Sequence, residues 1–304
     1  MIKVERAPGK GTMKDASKRA GRPPYQIAVP TDFLPASTSA MKFAQNLAHV
    51  PRTRVTAVHA IDSLEYSFGP QDVRELKKQQ VWALAQEAMA RWLQEGGFSN
   101  CATRMIEGEA APAMAEFIAA GSIDLIVLST SARLRAARIA FGSVAEEIFR
   151  KAACPVFVLG PKVRAGRRPM TRLVFATDLE PHSLAALPHL STFARRFNCR
   201  VSVIRAADPY IQSRPEQSRI RKETEEKIKA AADPYLRRRI GKIHVEFAHP
   251  ANAIPSFANR LKASALVMGV RSGGDWDRAT THIPWALVHR VIAKSSLPVL
   301  TIRG

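Results

Sequence analysis

Short apolar runs alternate along the chain with longer stretches whose apolar residues recur every three or four positions. Residues 26–31 form an apolar run ending in Pro30-Thr31-Asp32. Residues 35–49 then place Ala40, Phe43, Ala44 and Leu47 at helical spacing. Residues 53–60 set Val55, Ala57 and His59 against Arg54, Thr56 and Val58, the alternation of a strand. The pattern continues with a helix over about 72–94, a strand near 102–106 and a helix after Pro112. A strand over 124–128, a helix over 143–152 and a strand over 156–159 follow. The second half repeats the plan. Strands are predicted at 173–177, 200–205, 243–247, 265–268 and 299–302, and helices at 181–197, 217–239, 253–261 and 285–295.

Short apolar strands alternating with amphipathic helices predict parallel sheets covered by helices on both faces. Asp32 and Asp178 are 146 positions apart and Pro155 and Pro298 are 143 apart, a near-constant offset that marks an internal duplication. The expected fold is α/β, with two doubly wound, five-stranded parallel-sheet domains paired within the chain. The expected organisation is a basic, disordered tail over 1–25, a first domain over 26–160, a linker over 161–170 and a second domain over 171–304. Met13 is an alternative start.

Composition narrows the function classes. The 304 residues include 46 Lys plus Arg against 26 Asp plus Glu, a formal net charge of +20. The tail holds seven basic and two acidic residues, residues 26–160 hold thirteen of each, and residues 161–304 hold 26 basic and eleven acidic. The imbalance therefore belongs to the tail and the second half. No apolar run reaches the ~18 residues of a membrane span. The basic N-terminus lacks the apolar segment of a secretory signal. Three cysteines, Cys101, Cys154 and Cys199, have neither disulfide-framework nor zinc spacing. The expectation is a cytoplasmic protein with reduced thiols.

The strings AVPTDFLPAS at 28–37 and VFATDLEPHS at 174–183 resemble the opening strand and loop of the universal stress protein family. LIVL at 125–128, FGSVAEEI at 141–148 and CPVFV at 154–158 resemble its closing half, as do LVMG at 266–269 and LPVLT at 297–301. The resemblance implies a nucleotide-binding, alpha-hydrolase-like fold used twice. Some members of that family bind ATP through Gly-x2-Gly-x9-Gly-Ser/Thr, whose backbone N–H groups and helix N-terminus favour phosphate. In the first half Ser129 and Ala132 replace the first two glycines, and Gly142-Ser143 keeps the last pair. Arg133, Arg135 and Arg138 in that loop either supply positive charge to phosphates or form a solvated loop. In the second half Gly269 holds the first position, Ser272 replaces the second glycine and Trp285 falls where Gly-Ser belongs, so this site is expected to be degenerate.

By the same resemblance Asp32 contacts the base or ribose of a nucleotide, with Asp178 as its twin. The competing reading is that both cap the following turn. Val58 matches a backbone contact to adenine, or is simply core, and Gly108 is a near-nucleotide glycine or a plain turn. Ser272-Gly-Gly-Asp275 has the look of a pyrophosphatase-type loop but follows the wrong strand. Asp275 with Asp277, His282 with His289 and His244 with His249 lack a third metal ligand. No catalytic residue and no metal site are expected, and ATP with Mg in the first domain is the one cofactor considered.

Three functions follow. The first is a non-catalytic stress-response or regulatory protein that acts by binding an unknown protein partner, with weak or absent nucleotide occupancy. The second is an ATP-binding member that uses the first domain. The third is an electrostatic binder of non-specific nucleic acid or anionic surfaces, through the tail, the linker and the basic second half, where Arg195, Arg196, Arg200, Arg205, Arg214, Arg219, Arg221 and Lys222 precede Arg237–Arg239 and Lys242. Glu223, Glu225, Glu226 and Asp233 offset part of this charge, as i,i+4 surface pairs on a solvated helix face would. Besides the intrachain pair, a homodimer is a possible assembly.

Overall fold

The computed structural model describes residues 24–121, 123–130, 143–164, 169–270 and 283–303. The first half runs β1 (Tyr25–Pro30), α1 (Pro35–Leu47), β2 (Thr53–Ile61), α2 (Gln71–Gly96), β3 (Ala102–Glu107), α3 (Ala110–Ala120), β4 (Leu125–Ser129), α4 (Ser143–Lys151) and β5 (Val156–Leu159). The second half runs β6 (Arg172–Ala176), α5 (Pro181–Leu184), α6 (Leu187–Phe197), β7 (Arg200–Ala207), α7 (Arg214–Ala231), α8 (Pro234–Arg239) and β8 (Ile240–Phe247). It closes with α9 (Pro250–Arg260), β9 (Ala265–Val270), α10 (Ile283–Lys294) and β10 (Val299–Arg303).

Two elements expected as single helices are broken, and proline is the reason each time. The stretch 181–197 divides into α5 and α6, with Pro188 in the first turn of α6. The stretch 217–239 divides at Asp233-Pro234. Proline disfavours the helical conformation of the residue before it and lacks the N–H that a continuing helix needs. Asp233 instead caps α8, its carboxylate accepting from the N–H groups of Tyr235 and Leu236 at 2.8 and 2.9 Å.

All ten strands form one sheet in the order β3-β2-β1-β4-β5-β10-β9-β6-β7-β8. Each half is parallel, and the two halves join where β5 runs antiparallel to β10, Leu300 lying opposite Phe157. The two five-stranded parallel arrays expected from the sequence are thus present, joined edge to edge into one sheet. Strand side chains alternate between two cores. Ile27 and Val29 face α1, α2, α6 and α7, whereas Ala28 faces α3, α4, α9 and α10. The junction is close-packed: Phe157 lies between Phe43 and Phe193 at centroid distances of 4.9 and 5.6 Å. Arg196 of α6 reaches across the halves, donating to the Pro51 carbonyl and, at 2.8 Å, to the Thr53 hydroxyl.

Candidate functional site

In an open parallel sheet the crevice forms where neighbouring strands connect to opposite sides, just beyond their C-terminal ends. Here that point lies between β1 and β4, and between β6 and β9 in the second half.

The loops after β1 and β6 share one construction. Thr31 Oγ1 accepts from the Phe33 N–H at 3.0 Å, and Asp32 Oδ1 accepts from the Leu34 N–H at 3.0 Å. In the second half Thr177 Oγ1 accepts from Leu179 N–H at 2.9 Å and Asp178 Oδ1 from Glu180 N–H at 3.0 Å. Both loops hold a bulky residue in the left-handed region, Phe33 at φ 63 and Leu179 at φ 69. Such backbone is unfavourable for bulky side chains and persists only where its surroundings fix it. The Phe33 ring packs 4.3 Å from that of His59, whose Nδ1 lies 2.8 Å from the Thr31 carbonyl oxygen. The turn-capping role of both aspartates is therefore part of the fold. Asp32 Oδ1 also accepts from the Ser37 hydroxyl, and the residue is exposed.

The first-half crevice holds about 260 Å³, between Thr31, Asp32 and Ser37 on one side and Met114, Ser129 and Ile148 on the other. It shares His59, Ala60 and Ala110 with an adjoining space of about 480 Å³ beside α2. Carboxylates line the pair: Asp32 in the first space, and Asp62, Glu65, Glu109 and Glu147 in the second. No Lys or Arg is among the described lining residues. The equivalent second-half crevice holds about 120 Å³, and Asp178, His182, Gly269 and Leu287 are among its walls. His182 Nε2 lies 3.5 Å from Asp178 Oδ2 across its mouth.

The anticipated residues separate clearly. Asp32 and Ser129 meet in the larger crevice, and the Ser129 hydroxyl turns toward the Leu159 carbonyl at 3.4 Å. Val58 is fully buried, and its carbonyl accepts from the Thr31 N–H at 2.9 Å, so β2 presents His59 and Ala60 to the crevice instead. Gly108 has φ +125, a turn requirement sufficient to explain the glycine. Asp178 and Gly269 meet in the smaller crevice. Ala132, Arg133, Arg135, Arg138, Gly142, Ser272, Asp275, Asp277 and His282 lie outside the described residues, as do the side chains of Ser143 and Trp285. His59, Ser37 and Met114 are wall residues that motif matching passed over. Their signal is positional, since each adjoins the C-terminal end of a strand or the N-terminal turns of a helix.

Among the described residues no group of three or more His, Cys, Asp or Glu is arranged to hold a metal ion. No described helix is long and apolar enough to cross a membrane.

The sequence profile of the universal stress protein family matches this chain twice, over residues 25–160 and 170–303. A universal stress protein of Methanocaldococcus jannaschii is 32% identical over 142 residues, 44% of this chain and 81% of that protein. Among solved structures, a universal stress protein from Archaeoglobus fulgidus superposes with a TM-score of 0.65 at 16% identity, covering 91% of this chain and 97% of that one. A protein of unknown function from Pseudomonas aeruginosa superposes with a TM-score of 0.55 at 17% identity, covering 91% and 92%. At such identities the structural likeness speaks for the fold alone.

Proposed function

We propose a function for this chain, which belongs to the universal stress protein family in tandem form: it is a regulatory protein that acts by binding, without catalytic turnover. Its domains are residues 26–160 and 171–304, joined by 161–170. Among the described residues the first has the larger, ligand-sized crevice, and the second serves as its structural partner. The observation that carries this reading is the contrast between about 260 and 120 Å³ at two positions built on one plan. A small ligand that enters the first domain meets apolar walls from Ala60, Met114 and Ile148 and polar groups from Asp32 and Ser37.

Phosphate is a poor occupant of that crevice. Its described lining has the carboxylate of Asp32 and no cation, and four more carboxylates line the adjoining space, so a triphosphate would meet repulsion there. The described residues fit a nucleoside better than they fit ATP with Mg, which supports weak or absent nucleotide occupancy. Titration calorimetry with Mg-ATP tests the reading. The expected result is no isotherm in the micromolar range. A micromolar isotherm that disappears in Asp32→Asn, which retains the Oδ1 acceptor of the turn, favours an ATP-binding protein instead.

A further inference from the structure

The cations of the second half fall into two sets. Those on α7 are neutralised along the helix: Lys227 lies 2.7 Å from Glu223, Lys229 2.5 Å from Glu225 and Lys222 3.9 Å from Glu226. These are the i,i+4 pairs that the spacing of Glu223, Glu225 and Glu226 against the lysines of the helix predicts, so α7 presents a solvated, largely paired face.

The other set converges on one place. Because β6, β7, β8 and β9 are parallel, they begin at one end of the sheet. Arg172 is the register partner of Arg200, and Val201 lies opposite Ile240, which brings Arg239 beside Arg200 on the next strand. Lys242 follows in β8 and Lys262 precedes β9. The helices that deliver the chain to this end add Arg195 in the last turn of α6, and Arg237 and Arg238 in the last turn of α8. All except the half-buried Arg239 are exposed, and none forms an ion pair among the described residues. Over the segments that enter these strands, residues 169–172, 195–200, 233–242 and 260–264, Asp233 is the one carboxylate. Two backbone N–H groups and the Ser191 hydroxyl already occupy it, and Arg195 is close enough to act on its charge.

Favourable contact with helix dipoles accounts for a cation at each helix C-terminus. It does not account for Arg172, Arg200, Lys242 and Lys262, which sit in strands and loops. The repeat supplies its own control. At the matching end of the first half, Gln26 replaces Arg172 and His49 replaces Arg195, so that Arg54, which keeps the charge of Arg200, and Arg52 are the cations at the starts of β1 and β2. Asp124 there accepts from the Gln26 N–H at 2.7 Å. The concentration of charge therefore belongs to one copy and is not a requirement of the fold.

We propose that the strand-entry end of the second half is a docking surface for double-stranded nucleic acid, held through its phosphates without base specificity. Neighbouring strands space the cations about 5 Å apart. That dense row suits a polymer with a phosphate every ~3.4 Å of axis along each strand. Arginine predominates, and its planar guanidinium matches phosphate with paired donors. Arg195 and Arg239 lie over the Tyr235 ring at 4.1 and 5.4 Å, which orders part of the surface before any partner arrives. A lipid surface fits less well, because the exposed large apolar residues are Leu34, Leu64, Phe68, Val73, Leu76, Leu84 and Tyr210, none of them at this end.

The test is fluorescence anisotropy of the full chain with a labelled random-sequence DNA duplex, at salt concentrations from 50 to 200 mM. One variant carries R200Q, R238Q, K242Q and K262Q. A second carries R219Q, K222Q, K227Q and K229Q on α7, with the same loss of net charge. The first variant is expected to bind about tenfold or more weakly, with the slope of log K against log salt reduced by about three to four. The second is expected to stay within about twofold of the parent. Equal losses in both variants, or no duplex binding at 50 mM salt, overturn the proposal. So does tighter binding to phosphatidylserine vesicles that shows the same dependence on the four strand-entry cations. The surface is remote from the crevice, so either outcome leaves the reading of Asp32 to its own experiment.

Discussion

The Cβ that Gly269 lacks would stand 2.7 Å from Ser183 Cα and 2.9 Å from the Ser183 carbonyl oxygen. The end of β9 and the turn of α5 approach so closely that only a hydrogen fits between them. A glycine that resembles part of a phosphate loop is therefore occupied by packing. Ser129 holds the equivalent place in the first half, beside the wider crevice. Gly269→Ala is expected to destabilise the protein by about 1–3 kcal/mol through overpacking. Urea denaturation of the full chain measures this, and an unchanged midpoint would remove the packing explanation.

The contact of Arg196 with Pro51 and Thr53 links the halves outside the sheet. Arg196→Met removes both hydrogen bonds together with the guanidinium that lies 5.6 Å from the centre of the Tyr25 ring. A loss of about 1.5–3 kcal/mol is expected, the range for hydrogen bonds to charged groups. A loss below 0.5 kcal/mol would show that the sheet junction alone joins the halves.

Asp233 links stability to pH. The Ser191 hydroxyl, then the Leu236 N–H, hold its carboxyl below the usual carboxylate range. Because the folded pKa is depressed, the stabilisation is fully present above the unfolded value of about 3.9 and is lost as pH falls through the lower folded value. Asp233→Ala removes the cap of α8 and is expected to cost about 1 kcal/mol at pH 7. The difference between parent and variant should shrink toward zero in acid, and a pH-independent difference would assign the effect to something other than the carboxylate.

Burial pushes the thiols of Cys154 and Cys199 up to about 12 and raises that of Cys101 as well. At pH 8 the thiolate fraction of the first two is on the order of one in ten thousand, and thiolate is the reactive form. Ellman's reagent is expected to label native protein slowly, Cys101 first, with Cys154 and Cys199 following only on unfolding. Rapid modification of Cys199 in native protein would contradict its buried placement.

The alternation of strand and helix, the 146-residue repeat and the parallel topology within each half were all legible in the sequence. Each rests on periodicity and local turn chemistry, as in the Thr31-Asp32 and Thr177-Asp178 turns. The breaks at Pro188 and Pro234 were missed, because helical spacing on either side of each proline reads as one continuous helix. The joining of β5 to β10 was not legible either, because Val156, Phe157 and Val158 look the same whether their free edge meets solvent, another chain or the chain's own last strand. Nor were the unequal crevices. They depend on how near Gly269 comes to Ser183 and on which way His59 turns, both settled by contacts between residues far apart in sequence. The positive charge and its place along the chain were countable from the start, but its arrangement in space was not. The i,i+4 pairing along α7 follows from spacing, but only the parallel sheet, by bringing four strand starts to one end, gathers the cations of distant segments there.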